Sequence, residues 1–145
     1  MNHIAWQLEH SVDVDVSLAF AWGWRTNIET WHDPPAQFQL DGPFADGACG
    51  TTRVPGQPQV HWQIRDVRAG ESFVIDMSLD RAVLSSAWRF EALSDRRTRM
   101  TQRLTLSGDN ASAYVAQVDA GFGANIGDGM RTIADAMMQA ERQAS

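Results

Sequence analysis

The spacing of apolar residues changes once along the chain, and this change constrains the fold more than any other feature. As far as Ser107, most apolar residues recur at every second position, which is typical of half-buried β-strands. After the turn sequence Gly108-Asp109-Asn110 they recur every three or four residues, as in an amphipathic helix. The sequence therefore predicts a run of antiparallel strands followed by one long C-terminal helix.

The strand-rich part is interrupted once, near its start. Alternation from Ile4 to Val14 predicts a first strand, Ser17 is placed to cap a short helix, and a second short helix fits Asn27 to Trp31. Pro34 follows and ends it. Further alternating runs, separated by turn residues, predict about six more strands. This order indicates an α+β domain whose curved antiparallel sheet is covered by the last helix.

Length and composition restrict the domain count and the function classes. The 145 residues suit one domain spanning 1–145. Twelve basic against eighteen acidic residues give a net charge of −6, which argues against a nucleic acid partner. All basic residues are arginines, and the lack of lysine excludes Schiff-base catalysis and a phosphate-loop lysine.

Cysteine usage and the N-terminal sequence indicate where in the cell the protein is expected. A single cysteine, Cys49, cannot form an internal disulfide, and the first residues lack the features of a secretory signal. No apolar run approaches the roughly 18 residues needed to span a bilayer. We therefore expect a cytoplasmic protein without a membrane span.

Three segments carry a resemblance to a known family. They are VDVSLAFAWGWRTNIETW from Val14 to Trp31, then LDGPFADG, and then TRMTQRLTLSG just before the terminal helix. With the order of elements, they resemble the SRPBCC or START-like superfamily. The chain is most similar to its polyketide cyclase/dehydrase-related group, in which a Trp ends the second short helix, as Trp31 does here.

The resemblance implies a helix-grip fold, in which a seven-stranded sheet wraps around the terminal helix and leaves an elongated cavity. Members bind lipids, sterols, polyketides or other apolar molecules. Some catalyse cyclisation or dehydration, and others only carry or sense their ligand. Because the superfamily has no shared catalytic motif, the resemblance assigns no catalytic residue.

Inward-facing positions supply the candidate ligand-binding residues, since a binding cavity is lined by apolar rings and a few polar groups. We expect Trp62, Trp88, Met100 and Phe122 to face one shared internal space. The alternative is that the candidate side chains simply fill the core. The full set is Trp31, Phe38, Trp62, Phe73, Met77, Ser86, Trp88, Phe90, Met100, Gln102, Phe122, Ile126 and Met130.

Polar residues interrupt otherwise apolar stripes at His10, Ser86 and Gln102. Such side chains should face a ligand or bond to each other, because an unpaired buried polar group costs about 1–3 kcal/mol. His10 is the best candidate for a general acid or base. His32, beside Asp33, is the second candidate, with a solvated loop as its alternative. The histidines and the cysteine show no metal-ligand spacing, so we expect neither metal nor cofactor.

Two further patterns each allow two interpretations. Glycines within the terminal helix, at 121, 123, 127 and 129, would permit either close approach to the sheet or bending that admits a ligand. Arginines around Arg99 and Arg103 could form a nucleic acid patch, but solvated pairing with an opposite strand carrying Glu91 explains them better.

The sequence therefore predicts a protein that binds a small, largely apolar molecule between the sheet and the C-terminal helix. Two alternatives stay open. One is a polyketide cyclase or dehydratase that uses His10 or His32, and the other is a protein-interaction module of the same fold. The sequence names neither the ligand nor the oligomeric state.

Overall fold

The computed structural model describes residues 4–144. Residues 4–107 form seven strands, one α-helix and one 3-10 turn. In chain order these are β1 (Ile4–Val14), α1 (Leu18–Arg25), the 3-10 turn (Ile28–Thr30), β2 (Gln37–Leu40), β3 (Cys49–Arg53), β4 (Val60–Arg68), β5 (Ser72–Leu79), β6 (Ala82–Ser94) and β7 (Arg97–Ser107).

All seven strands belong to one antiparallel sheet with the order β1-β7-β6-β5-β4-β3-β2. Strands β2 to β7 follow each other as neighbours, and β1 closes the sheet beside β7. The last helix packs along β1 and covers the inner face. This architecture confirms the predicted α+β helix-grip class.

Local capping fixes the two short helical elements after β1. The Ser17 side chain accepts a hydrogen bond from the backbone N–H of Phe20 at 3.1 Å and so begins α1. The Asn27 side chain accepts from the N–H of Glu29 at 3.1 Å and begins the 3-10 turn. Both caps lie where the sequence predicted helix starts.

The C-terminal segment differs from the predicted single helix. It contains a 3-10 turn (Ala111–Tyr114), α2 (Val115–Val118), a π-helical turn (Asp119–Gly123) and α3 (Ala124–Ala144). A π turn holds one more residue than an α turn, so it shifts the helical face that apolar spacing would indicate. Phe122 lies in this turn and is 46% exposed, which makes its predicted inward position wrong.

Two buried clusters fill the space between the sheet and the helices. The first joins α1, β1, β5, β6, β7 and α3, and consists of Val12, Val14, Val16, Ala21, Phe73, Trp88, Phe90, Met100, Met130, Ala134 and Met137. The second lies under the start of the C-terminal segment and consists of Ala82, Leu84, Leu104, Leu106, Ala111 and Val118. Ile126 of α3 packs against both clusters.

The glycines of the C-terminal segment have different surroundings. A β-carbon on Gly123 would lie 2.9 Å from the Trp6 ring, whose Nε1 donates to Asp119 Oδ1 at 3.2 Å. A β-carbon on Gly127 would lie 3.4 Å from His10 Cε1, whereas one on Gly129 would meet no atom within 4 Å. Close packing therefore explains why residue 123 is a glycine, whereas position 129 has room for a larger side chain.

We expect alanine substitutions at Gly129 and Gly123 to change the free energy of unfolding in opposite directions. Gly129→Ala should raise the free energy of unfolding by up to about 1 kcal/mol, because alanine has the higher helix propensity. Gly123→Ala should lower it by about 1 kcal/mol or more, because the new methyl group must displace the Trp6 ring. Urea unfolding of both variants measures the difference. An increase for Gly123→Ala would show that close packing does not require this glycine.

The exposed arginines of β7 pair with carboxylates across the strands, as predicted, and their hydrogen-bonded partners lie on β1. Arg99 bonds to Asp13 at 2.9 Å and Arg103 to Glu9 at 3.1 Å, both on β1, whereas Glu91 pairs with Arg89. β1 places these two acids directly opposite the two arginines, and β6 places Glu91 opposite Arg99 on the other side. The hydrogen bond from Arg99 lowers the pKa of the Asp13 carboxyl.

Candidate functional site

Aromatic side chains from seven parts of the chain make a continuous set of ring contacts, which we call the aromatic cluster. Neighbouring ring centroids lie between 5.0 and 6.5 Å apart, in edge-to-face or stacked arrangements. The members are Trp22, Trp31, Phe38, Phe44, Trp62, Phe73, Trp88 and Phe90. The sequence singled out all of these as site candidates except Trp22 and Phe44.

Other inner-face residues, near the middle of strands β1, β5, β6 and β7, keep accessible surface. We call them the central band, and they are His10, Ile75, Met77, Ser86 and Gln102. Fully packed residues of the two buried clusters lie on both sides along the same strands, such as Phe73 and Leu84. The central band is therefore accessible although its neighbours are packed.

The polar residues of the central band lie together, as their strand positions predicted. His10 of β1 is opposite Gln102 of β7, and Gln102 Nε2 donates to Ser86 Oγ at 2.7 Å. Trp88 Nε1 donates to the same Ser86 oxygen at 3.1 Å. Because Ser86 Oγ accepts two hydrogen bonds, its own hydroxyl proton is directed elsewhere.

The two histidine candidates do not share this location. His10 is partly buried, and its imidazole ring lies where a β-carbon on Gly127 of α3 would contact it. His32 is exposed in the loop between the 3-10 turn and β2. The structure thus places one of the two acid/base candidates on the inner face and the other in contact with solvent.

Arg25, the last residue of α1, enters the aromatic cluster and was not predicted. Its guanidinium carbon lies 4.6 Å from the ring centroid of Trp31 and 4.4 Å from that of Trp88. Its backbone carbonyl accepts a hydrogen bond from Trp31 Nε1 at 2.9 Å. Burial lowers the pKa of Arg25 to about 10, so the guanidinium remains charged at neutral pH.

The sequence contained a signal for Arg25 that spacing alone could have revealed. Leu18, Ala21, Trp22 and Arg25 have helical spacing and share one face of α1. The first three pack into the first buried cluster. A charged residue that continues an apolar helix face is a candidate for a buried functional group.

The remaining candidates divide by burial. Trp62, Trp88 and Met100 are each less than 5% exposed, and Met130 of α3 is 1% exposed. The other candidates are partly buried, namely Trp31, Phe38 and Ile126. With the exception of Phe122, each predicted ligand-binding residue therefore lies in or beside the interior.

Side chains that could bind a metal ion do not gather within residues 4–144. No group of three or more His, Cys, Asp or Glu side chains lies close enough to hold one. Cys49 is free and exposed. Over the same range, no helix is both long enough and apolar enough to cross a membrane.

The sheet, its covering helix and the accessible central band define a protein of the helix-grip class. Residues 5–141 match the model of the family described as polyketide cyclase / dehydrase and lipid transport, and the chain belongs to this family. This confirms the resemblance seen in the sequence. A search of curated proteins finds no match.

Solved structures share the fold at low sequence identity. A norcoclaurine synthase point mutant from Thalictrum flavum, in complex with a transition-state analogue, superposes with a TM-score of 0.74 and 11% identity, covering 97% of this chain and 98% of that one. The same enzyme with dopamine and hydroxybenzaldehyde gives 0.69 and 11%, covering 100% and 89%. A protein from Arthrobacter aurescens gives 0.71 and 17%, covering 94% and 91%.

Proposed function

We propose that this protein binds a small, largely apolar molecule of the lipid, polyketide or aromatic type between the sheet and the C-terminal helix. The central band carries the proposal. Its side chains are accessible on the inner face even though packed clusters lie on both sides. It combines apolar surface from Ile75 and Met77 with hydrogen-bonding groups from Ser86 and Gln102, a combination that suits ligand sites.

The aromatic cluster supports the same proposal. Trp88 belongs to the cluster and also donates to Ser86 of the central band, so the two regions adjoin. Large rings supply extensive apolar contact area to a planar ligand. In the norcoclaurine synthase structure, the same fold occurs with dopamine and hydroxybenzaldehyde, which are both small aromatic compounds.

Binding has more support than catalysis. Of the two acid/base candidates, His10 lies on the inner face, whereas His32 is exposed in a loop. A matched general acid and base would have to act on one substrate from the same region. The structure of residues 4–144 does not supply that pair from these two histidines, and we therefore propose a binding protein.

Filling the central band should block binding. Ile75→Trp adds an indole on the inner face, where Ile75 is partly accessible. We expect this variant to bind 2-naphthamide, a neutral aromatic probe, at least about tenfold more weakly, because the indole and the probe compete for the same space. The neighbouring Val74→Trp adds the same group on the opposite face of β5 and should change the affinity less than about twofold. Isothermal titration calorimetry measures both.

Thermal unfolding of the two variants shows whether each retains the fold. Equal loss of binding in both variants would place the probe outside the central band. Failure of the wild-type protein to bind 2-naphthamide, or any other neutral aromatic probe, would contradict the proposed function. Native mass spectrometry of freshly purified protein would additionally show a retained small molecule as a defined mass increase.

A further inference from the structure

Arg25 differs from every other described arginine in its surroundings. Seven arginines lie within 4.0 Å of a carboxylate, namely Arg65, Arg81, Arg89, Arg96, Arg97, Arg99 and Arg103. Four more are exposed to water, namely Arg53, Arg68, Arg131 and Arg142. Among residues 4–144, Arg25 alone is an arginine with neither a carboxylate partner nor an exposed position.

The Nε atom of Arg25 is buried and has no hydrogen-bond acceptor. Trp31 and Trp88 contact the guanidinium through their rings, and these cation–π contacts stabilise its charge. An indole ring, however, has no lone pair that accepts an N–H hydrogen bond in the usual geometry. A buried donor left without an acceptor is rare and costly in folded proteins.

The surroundings hold this group in a fixed position. Trp31 is bonded to the Arg25 backbone and stacks on Trp62 at 5.4 Å, while Trp88 is bonded to Ser86. Arg25 as a whole is only partly buried, and Nε is its one side-chain nitrogen that is both buried and unpaired. A guanidinium edge offers two parallel N–H donors, Nε and one Nη, which match the two oxygens of a carboxylate.

We infer that the ligand is an aromatic acid whose carboxylate accepts hydrogen bonds from Arg25 while its ring packs against the partly buried Trp31. This inference rests on the proposed function and adds the chemical class of the ligand. It gives the unpaired Nε an acceptor and the buried charge a counterion. Trp31, which lies beside the guanidinium and is partly buried, supplies the apolar contact that a planar acid requires.

A matched pair of probes separates charge recognition from apolar binding. 2-Naphthoate and 2-naphthamide share one ring system, but the amide has a neutral NH2 group where the acid has an anionic oxygen. We expect the wild-type protein to bind 2-naphthoate at least about tenfold more tightly than 2-naphthamide, as charge-assisted hydrogen bonds require. Arg25→Met should reduce this ratio to about one, because only the acid uses the guanidinium.

Arg142→Met removes an exposed arginine from the end of α3 and should retain the wild-type ratio, which excludes a general effect of net charge. The ratio of 2-naphthoate to 2-naphthamide affinity is first measured on the wild-type protein, so this part of the test does not depend on whether a variant folds. A wild-type ratio near one, or a ratio unchanged in folded Arg25→Met, would overturn the inference while 2-naphthamide binding still supports the proposed function. Binding of neither probe would instead contradict the proposed function itself.

Discussion

Trp88→Ala should lower the free energy of unfolding by about 3–5 kcal/mol, as for removal of a large aromatic side chain from a core. Trp88 is 2% exposed, stacks on Phe73 and Phe90, and lies against the Arg25 guanidinium. Its loss would also leave Ser86 without one of its donors. Because domains are stable by only about 5–15 kcal/mol, this loss is large enough to measure by denaturant titration.

Phe122→Ala is the matched control for this prediction. Sequence periodicity placed both aromatic residues inside, but Phe122 is 46% exposed in the π turn. We expect its removal to cost less than about 1 kcal/mol, in the range of surface substitutions. Equal losses for the two variants would mean that Phe122 is packed in solution and that the helical register here is different.

Gly50→Ala should lower the free energy of unfolding by about 1–3 kcal/mol, the usual cost of overpacking a filled interior. Gly50 lies opposite Trp62 in the β3–β4 pair, and a β-carbon on it would overlap the indole ring. Trp62 cannot move away freely, because it stacks on Trp31 and donates to Thr52 Oγ1 at 3.0 Å. Thermal unfolding monitored by tryptophan fluorescence measures the loss.

Gly23→Ala provides the control for this second substitution. Gly23 lies within α1, and a β-carbon there would meet no atom within 4 Å. We expect a neutral effect or a gain of up to about 1 kcal/mol from helix propensity. A stable Gly50→Ala variant with unchanged fluorescence would show that the Trp62 ring does not lie over Gly50.

The sequence by itself determined the order of elements and which side of each strand faces inward. Alternation with a period of two has only two possible faces, and the apolar face is buried when a helix covers the sheet. For this reason Trp62, Trp88, Met100 and the pair Ser86 and Gln102 were assigned correctly to the inner face. The family followed from the same order together with the segment that ends at Trp31.

Only the tertiary structure decided the features that depend on contacts between distant segments. The π turn exposes Phe122, and its placement depends on packing around Trp6 and Gly123 that helical spacing does not encode. Arg25 joins the aromatic cluster because α1 brings it against Trp31 and Trp88. A charged side chain at a helix end is ordinarily solvated, and only the rings placed around this one by the fold remove its guanidinium from water.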